Sequence, residues 1–235
     1  MSELNSIALK IVSSGKGILA ADESTGTMTK RLESVNVASN PENRLKFRNS
    51  LFSSKSMKTC IGGVILYDET IKQSVESNSI PKLISTSSAV TGIKVDTGAK
   101  TLSCSKEEKI TEGLDGLRER LKEYYNLGAR FAKWRGVYII SDKYPSKVAV
   151  ATNSHALARF ASMVQESGMV PIVEPEVLMD GIHNSKTCLD KTTEVIKKCF
   201  DELILQKVDL KGIILKPNMI LPGTASEEKI NSETI

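Results

Sequence analysis

The stretch FAKWRGVYII, Phe131–Ile140, decides the fold prediction, because it is apolar along most of its length and yet carries two cations. Five further runs have the same apolar character. They are Gly17–Asp22, Cys60–Tyr67, Val90–Asp96, Val170–Leu178 and Gly212–Asn218. Val and Ile are frequent in these runs and polar alternation is rare, which is typical of strands that are covered on both faces of a parallel sheet.

Charged, amphipathic segments separate the runs and predict helices. Apolar residues recur at helical spacing in three of these segments, the first of them with Leu117 and Leu121. Asp115 and Ser154 are the expected N-caps. A further helix is expected from Ser226 onward.

The order of these elements predicts a parallel α/β fold. The runs begin roughly 30–45 residues apart with a helix between them, which indicates right-handed crossovers. Two architectures compete, the doubly wound sheet and the (β/α)8 TIM barrel. Because neither a G-x-G-x-x-G turn after the first strand nor a G-x-x-x-x-G-K-[ST] loop occurs, we expect the barrel. The chain is then one domain, 1–235, with about six of the eight β-α units, incomplete at its C-terminal side.

The amino-acid composition excludes several classes of protein. Charged residues make up 26% and hydrophobic residues 40% of the chain, which indicates a soluble globular protein. A net charge of +4 is too small to indicate nucleic-acid binding, and no apolar stretch is long enough for a membrane span. Met1–Lys10 lacks the features of a secretory signal, so we expect a cytoplasmic protein. With two histidines and no C-x-x-C pair, chemistry is expected from Lys, Asp and Glu rather than from a zinc site.

Ionisable side chains lie inside or at the ends of the apolar runs. A strand covered by helices has no hydrated face, so such charges must pair with each other or line a site near the strand ends. In a barrel, the site lies at the C-terminal rim of the strands. The residues concerned are Asp22, Lys94, Asp96, Lys133, Arg135, Glu174, Glu176 and Lys216.

Several lysines in one place indicate a particular chemistry. Neighbouring cations and apolar surroundings lower the pKa of a lysine, which frees its amine to attack a carbonyl. Nearby carboxylates would then act as general acid and base. The pattern predicts Schiff-base chemistry on an anionic carbonyl substrate, and spacing leaves open which lysine attacks. Structural ion pairs are the competing interpretation.

Seven motifs in order resemble class I fructose-bisphosphate aldolase, from about Lys16 to Pro222. They are ILAADESTG, CIGGVILYDET, GIKVD, EGLDGL, FAKWR, PIVEPE and LKPNM. The resemblance implies a (β/α)8 barrel that reversibly cleaves fructose 1,6-bisphosphate to dihydroxyacetone phosphate and glyceraldehyde 3-phosphate in glycolysis and gluconeogenesis. It also implies that a covalent imine replaces a metal, that no cofactor is needed, and that the full-length protein is a homo-oligomer, commonly a tetramer.

The resemblance also implies roles for individual residues. Lys216 of LKPN would form the Schiff base at the ketose C2, and Glu174 would shuttle protons as the carbinolamine dehydrates. Asp22 would engage the C4 hydroxyl during carbon–carbon cleavage. Lys133 would lie beside Lys216, keep its amine unprotonated and help to orient Asp22, while Glu176 would support the charge network.

Substrate contacts follow from the same resemblance. Lys94 and Arg135 would complete the cationic lining. Four residues after the first strand resemble the group near the distal phosphate, namely Ser24, Thr27, Lys30 and Arg31. The family usually has a serine where this chain has Thr27, so the hydroxyl is kept. The main contacts to the C1 phosphate come, in the family, from two further β-α units after the sixth strand.

Two other functions compete with this one. The first is a truncated, catalytically impaired protein that binds sugar phosphates or a partner without turnover. The second is another Schiff-base lyase on the same fold, such as a transaldolase-like enzyme. The order and identity of the motifs disfavour the second.

Overall fold

The structure is a computed structural model that describes residues 2–231. Its main sheet has six strands in the order β1-β2-β5-β8-β9-β10, and every neighbouring pair is parallel. The bounds are Gly17–Ala21 for β1, Ile61–Leu66 for β2, Val90–Lys94 for β5, Phe131–Tyr138 for β8, Val170–Val177 for β9 and Ile214–Leu215 for β10. The sheet curls as in a (β/α)8 barrel, which confirms the predicted fold class with six of the eight strands.

Helices and two small hairpins connect these strands. The helices are α1 Glu3–Ile11, α2 Thr25–Glu33, α3 Pro41–Phe52, α4 Met57–Cys60, α5 Asp68–Ile71, α6 Ile80–Ser85, α7 Leu117–Asn126, α8 Lys147–Glu166 and α9 Ser185–Leu205, with a 3₁₀ turn at Leu210–Gly212. The hairpins pair β3 Ser74–Val75 with β4 Asn78–Ser79 and β6 Ala99–Thr101 with β7 Lys109–Thr111. None of the helices in the described part of the chain is long and apolar enough to cross a membrane.

Three predicted boundaries are wrong. Ser154 lies buried inside α8, which begins earlier because the Ser146 side chain accepts the Ala149 N–H at 3.1 Å. The N-cap of α7 is Gly116, at a φ of 62°, rather than Asp115. Residues 226–231 form no helix. The Gly223 and Thr224 amides bond instead to carbonyls of the loop after β9 at 2.8 Å, and the Ser226 N–H bonds to the Gly223 carbonyl at 2.9 Å, which closes a turn there.

Apolar side chains fill the lower part of the barrel interior. The buried cluster contains Ala8, Ile11, Ile65, Val90, Phe131, Val170 and Ile172, with Ile18 and Ile214 packed at its edge. Helix α1 supplies Ile11 and thereby covers the N-terminal end of the strands. Because side chains alternate along a strand, the next inward positions after Phe131, Ile172 and Ile214 are the ionisable residues Lys133, Glu174 and Lys216.

Two close approaches explain why glycines lie in these strands. A Cβ atom on Gly92 would lie 2.1 Å from Cε2 of Phe131, so this ring occupies space that only a glycine leaves free. A Cβ atom on Gly62 would lie 2.0 Å from the carbonyl oxygen of Ile11, where α1 crosses β2. The GG and TG pairs in the second and third apolar runs are therefore packing requirements of the barrel core.

Outward-facing side chains form the second part of the core, between the sheet and its helices. Trp134 is fully buried, and its ring centroid lies 5.6 Å from that of Phe160 on α8. Leu157 and Val164 of α8 belong to the same cluster as Trp134. This packing sets the orientation of β8 about its own axis. Because Trp134 faces the helices, the preceding residue, Lys133, faces the barrel interior.

Candidate active site

Four ionisable side chains form one continuous network at the C-terminal rim of the strands. Lys133 Nζ donates to Asp22 Oδ2 at 2.7 Å and lies 3.2 Å from Glu174 Oε2. The other oxygen of Glu174 accepts a very short hydrogen bond from Lys216. The network therefore runs Asp22–Lys133–Glu174–Lys216 and brings together residues from four segments of the chain.

Exposure separates the two lysines of this network. The side chains of Lys133, Asp22 and Glu174 are 9%, 10% and 4% exposed, whereas that of Lys216 is 47% exposed. Lys216 follows β10, and its backbone N–H bonds to the Val173 carbonyl at 2.9 Å. A substrate carbonyl can thus reach the Lys216 amine, while Lys133 is enclosed by its carboxylates.

The pKa of Lys133 has moved in the direction opposite to that expected of a nucleophile. Burial by itself would lower this pKa, but the charges of Asp22 and Glu174 and their hydrogen bonds raise it above the ordinary lysine value. Lys133 is therefore a cation at neutral pH. For this lysine the paired carboxylates outweigh the effects that were expected to lower a lysine pKa, and a raised pKa disfavours Lys133 as the attacking amine.

The segment after Lys216 is held by an amide side chain. Asn218 Oδ1 accepts the Val177 N–H at 3.0 Å, and its Nδ2 donates to Thr192 Oγ1 on α9 at 3.0 Å. These two bonds attach the LKPN motif to the end of β9 and to α9. They compensate for the shortness of β10, which has two residues where the apolar run predicted seven.

Two more ion pairs flank the network. Lys94 Nζ lies 2.7 Å from Asp96 Oδ1 and also donates to the Asp96 carbonyl at 3.1 Å. Arg135 Nη1 donates to Glu176 Oε2 at 3.0 Å. Because Arg135 and Glu176 are 48% and 30% exposed, this second pair lies at the rim rather than in the interior.

A cavity of about 520 Å³ opens beside the network. Its lining includes Asp22, Ser24, Thr27, Arg31, Lys94, Lys133 and Arg135 from the predicted site, together with Glu23, Tyr67, Asp96, Thr97 and Thr111. Four of the predicted site residues are not among the lining residues, namely Lys30, Glu174, Glu176 and Lys216, and Lys30 is exposed. The Ser24 hydroxyl caps α2 by accepting the Thr27 N–H, and the two hydroxyl oxygens lie 3.1 Å apart. Of the four residues predicted to lie near the distal phosphate, Ser24 and Thr27 are at the N-terminus of α2, whereas Lys30 and Arg31 lie in its last turn.

The sequence pattern gives no indication of an arginine pair behind this cavity. Arg44 and Arg48 occupy the buried face of α3, one turn apart, and are 6% and 0% exposed. They contact Glu69 and Glu23, and Glu23 also pairs with Arg31. A helix with a charged buried face has no apolar stripe, so periodicity cannot find it. The only signal is the i, i+4 spacing of two arginines in PENRLKFR.

Acidic and sulfur side chains do not converge on any metal-binding arrangement within residues 2–231. No group of three or more His, Cys, Asp or Glu side chains there could hold a metal ion. Of the four cysteines, all of which are free, two are buried and two exposed.

The curled parallel sheet, with lysines and carboxylates gathered at its C-terminal rim beside a cavity, defines a TIM-barrel enzyme. The family model described as fructose-bisphosphate aldolase class-I matches residues 3–235. The chain therefore belongs to the class I fructose-bisphosphate aldolase family of lyases, which confirms the resemblance seen in its motifs.

Individual relatives agree with this assignment. The chain is 46% identical over 236 residues to a probable class 1 fructose-bisphosphate aldolase of Xylella fastidiosa, covering 100% of this chain and 71% of that protein. It is 48% identical to fructose-bisphosphate aldolase C of Mus musculus, covering 99% of this chain and 65% of that protein. The fructose-bisphosphate aldolase of Plasmodium falciparum, solved in complex with TRAP and a small-molecule inhibitor, superposes with a TM-score of 0.96 at 42% identity, over 99% of this chain and 68% of that one.

Proposed function

We propose that this chain cleaves fructose 1,6-bisphosphate through an imine on Lys216, giving dihydroxyacetone phosphate and glyceraldehyde 3-phosphate. The observation that carries the proposal is that one carboxylate, Glu174, contacts both a half-exposed lysine and a buried one. This arrangement supplies an accessible nucleophile, a proton carrier at hydrogen-bond distance and a fixed cation.

Imine formation uses Lys216 and Glu174. Glu174 takes a proton from the Lys216 ammonium, and the free amine attacks C2 of the ketose to form a carbinolamine. Glu174 then returns the proton to the C2 oxygen, which leaves as water, and the nitrogen lone pair completes the C=N bond. Lys133 keeps Glu174 oriented through its second oxygen and holds positive charge beside it.

Cleavage uses the protonated imine and Asp22. Asp22 accepts the proton of the C4 hydroxyl, the C3–C4 bond breaks, and its electron pair moves into the imine to give an enamine. Glyceraldehyde 3-phosphate leaves with the new carbonyl at C4. Protonation at C3 and hydrolysis of the imine then release dihydroxyacetone phosphate and restore Lys216. Lys133 orients Asp22 for this step, since it donates to Asp22 Oδ2 at 2.7 Å.

Anion binding is assigned to the remaining cations and hydroxyls. Lys94 and Arg135 would contact the phosphorylated sugar in the cavity, with Glu176 holding Arg135 in place. Ser24, Thr27, Lys30 and Arg31 would bind the phosphate farther from the imine. The N-terminus of α2 supports this assignment, because its free N–H groups and dipole favour an anion.

The test is cleavage by the purified chain with and without a chelator. We expect triose phosphates to form from fructose 1,6-bisphosphate at the same rate in the presence of EDTA, because the imine is the electron sink. We expect Lys216→Arg to lose at least 10³-fold of this rate. Sugar-phosphate binding without cleavage in the wild-type chain would contradict the proposal and support the impaired binding protein instead.

Membership of the same family also suggests the cofactor requirement, the cellular location and the oligomeric state. We infer that the chain needs no metal or cofactor, acts in the cytoplasm on a phosphorylated sugar and contacts neither nucleic acid nor membrane. We also propose a homo-oligomer, a tetramer when full-length. Light scattering on an eluting peak tests the last point, and a mass equal to one chain would contradict it.

A further inference from the structure

Arg48 is a fully buried cation that lies behind the cavity rather than in it. Its side chain comes from α3 and is 0% exposed. Nη2 donates to the Glu23 carbonyl oxygen at 2.6 Å, and Nη1 donates to Thr70 Oγ1 at 2.6 Å. Glu23 follows β1 and Thr70 lies in α5 after β2, so one guanidinium bridges the loops at the ends of two neighbouring strands.

This burial needs an explanation, because an enclosed charge is costly unless it is well paired. Burial lowers the pKa of Arg48, and the charges of Glu23 and Glu69 oppose that change. Both carboxylates are farther away than the two hydrogen-bond acceptors, at 3.7 and 3.9 Å. The shortest hydrogen bonds of Arg48 are therefore made to the Glu23 carbonyl and the Thr70 hydroxyl and not to its counter-charges.

The loop that Arg48 holds carries the group assigned to carbon–carbon cleavage. The peptide between Glu23 and Ser24 begins one residue after Asp22, whose carboxylate must meet both Lys133 and the substrate. The Glu23 carboxylate also pairs with Arg31, which lines the cavity and is one of the residues proposed to bind the distal phosphate. Fixing Glu23 thus fixes Asp22 through the backbone and Arg31 through the side chain.

We propose that Arg48 is a positioning residue for the cleavage step, acting through the Glu23 backbone to hold Asp22 in place. The role rests on the proposed function, since it requires Asp22 to act after the imine has formed. Lys216, Glu174 and Lys133 make no contact with Arg48 through hydrogen bonds or ion pairs within the described residues. Imine formation should therefore be independent of Arg48, and cleavage should depend on it.

A trapping experiment separates the two steps on the same lysine. The full chain is mixed with fructose 1,6-bisphosphate, sodium borohydride is added at short times, and the reduced adduct on the peptide containing Lys216 is weighed by mass spectrometry. An adduct trapped before cleavage carries the hexose bisphosphate, and one trapped after cleavage carries the triose phosphate. The ratio of hexose to triose adduct reports the cleavage step directly.

Arg48→Lys keeps the charge but cannot reach both acceptors. We expect its total adduct to stay within twofold of wild type while its hexose-to-triose ratio rises at least tenfold. Thr70→Val removes one acceptor without touching the charge, and we expect a smaller rise in the same direction. Thr70→Val tests the positioning role if Arg48→Lys does not fold.

Arg44→Lys is the matched control. Arg44 lies one turn away on the same buried face, donates to Glu69 at 2.9 Å, and has no bond to Glu23. We expect both arginine variants to unfold at lower urea concentration, but only Arg48→Lys to change the ratio. An equal rise in both variants, or an unchanged ratio in Arg48→Lys and Thr70→Val, would overturn the positioning role. A wild-type chain without triose adduct would instead overturn the proposed function itself.

Discussion

Lys133 Nζ lies 2.7 Å from Asp22 Oδ2, although β8 and β1 are separated by two strands in the sheet. Neighbouring strands of a sheet are about 4.8 Å apart, so a flat sheet would keep these side chains well beyond contact. The ion pair exists because the sheet curls and both residues point inward at its rim. Lys133 also reaches Glu174 on β9, so the same amine joins three strands across the interior.

Removal of the shared cation should destabilise the protein strongly. In Lys133→Met the carboxylates of Asp22 and Glu174 stay buried without their counter-charge, and we expect the free energy of unfolding to fall by about 3–5 kcal/mol. Urea unfolding at neutral pH measures the loss. The double variant with Asp22→Asn should recover part of it. Lys186→Met, at an exposed ion pair of α9, is the control and should show no measurable change. A loss in Lys133→Met no larger than in the control would contradict the network.

Glu174→Gln should slow imine formation without unfolding the chain. The amide keeps the shape of the carboxylate but cannot carry the proton between Lys216 and the C2 oxygen, and general acid–base catalysis contributes about 10²–10⁴-fold. The rate of borohydride-trapped adduct formation measures the loss. Glu166→Gln, at an exposed pair with Arg118, is the control. Equal trapping rates in the two variants would show that Glu174 is not the proton carrier.

Gly92→Ala should disturb the barrel core. The new methyl group would meet the Phe131 ring at 2.1–2.4 Å, and overpacking of this kind costs about 1–3 kcal/mol. Phe131→Leu in the same chain should recover part of that cost. Gly26→Ala in α2 is the matched control, since nothing lies within 4 Å of its added Cβ. Because Gly26 lies in the first turn of α2 with open space around it, the control should show no loss of stability. Similar unfolding midpoints for both variants would place Phe131 outside the barrel.

Alkaline pH should destabilise the folded state through a buried thiol. Burial raises the pKa of Cys199 from 9.0 to about 12, with a smaller contribution from Glu202. The folded state then binds this proton more tightly than the unfolded one. The stabilisation that the protonated thiol contributes is therefore fully present below pH 9 and is lost as the pH rises from 9 toward 12. Cys199→Ala should make the fall between pH 9 and 11 shallower, by up to about 1.4 kcal/mol per pH unit.

The matched control for this pH dependence is Cys60→Ala, because Cys60 is exposed. Its thiol is in contact with water in both states, and the slope should stay that of the wild-type chain. Urea unfolding at a series of pH values provides the comparison. Parallel slopes for Cys199→Ala and wild type would show that the Cys199 thiol is hydrated in the folded state.

The sheet and the charged rim could be predicted from the sequence because strand alternation is strict. Lys133 and Arg135 lie two residues apart, and so do Glu174 and Glu176, which places each pair on one side of its strand. The inward direction followed from the apolar character of everything around them. What alternation could not give is which oxygen of Glu174 meets which lysine, or that Lys133 is enclosed while Lys216 is half exposed.

The residues that hold the site in position could not be predicted from the sequence in the same way. Arg48 is buried because Glu23, Glu69 and Thr70 come from other segments and accept its hydrogen bonds or charge. A helix face of this kind looks like a hydrated one in sequence, since arginine at spacing four is usually exposed. The start of α8 was misplaced for a related reason. Glu108 accepts from both the amide and the hydroxyl of Ser146, which favours that serine as the cap over Ser154.

The central claim is that Lys216 is the attacking amine, and covalent trapping tests it most directly. The chain is incubated with dihydroxyacetone phosphate and sodium borohydride, digested, and mapped by mass spectrometry, with Lys211→Arg as a control a few residues upstream. We predict one reduced triose phosphate adduct, on the peptide that contains Lys216, in wild type and Lys211→Arg and none in Lys216→Arg. An adduct on Lys94 or Lys133, or a folded wild-type chain without any adduct, would contradict the account.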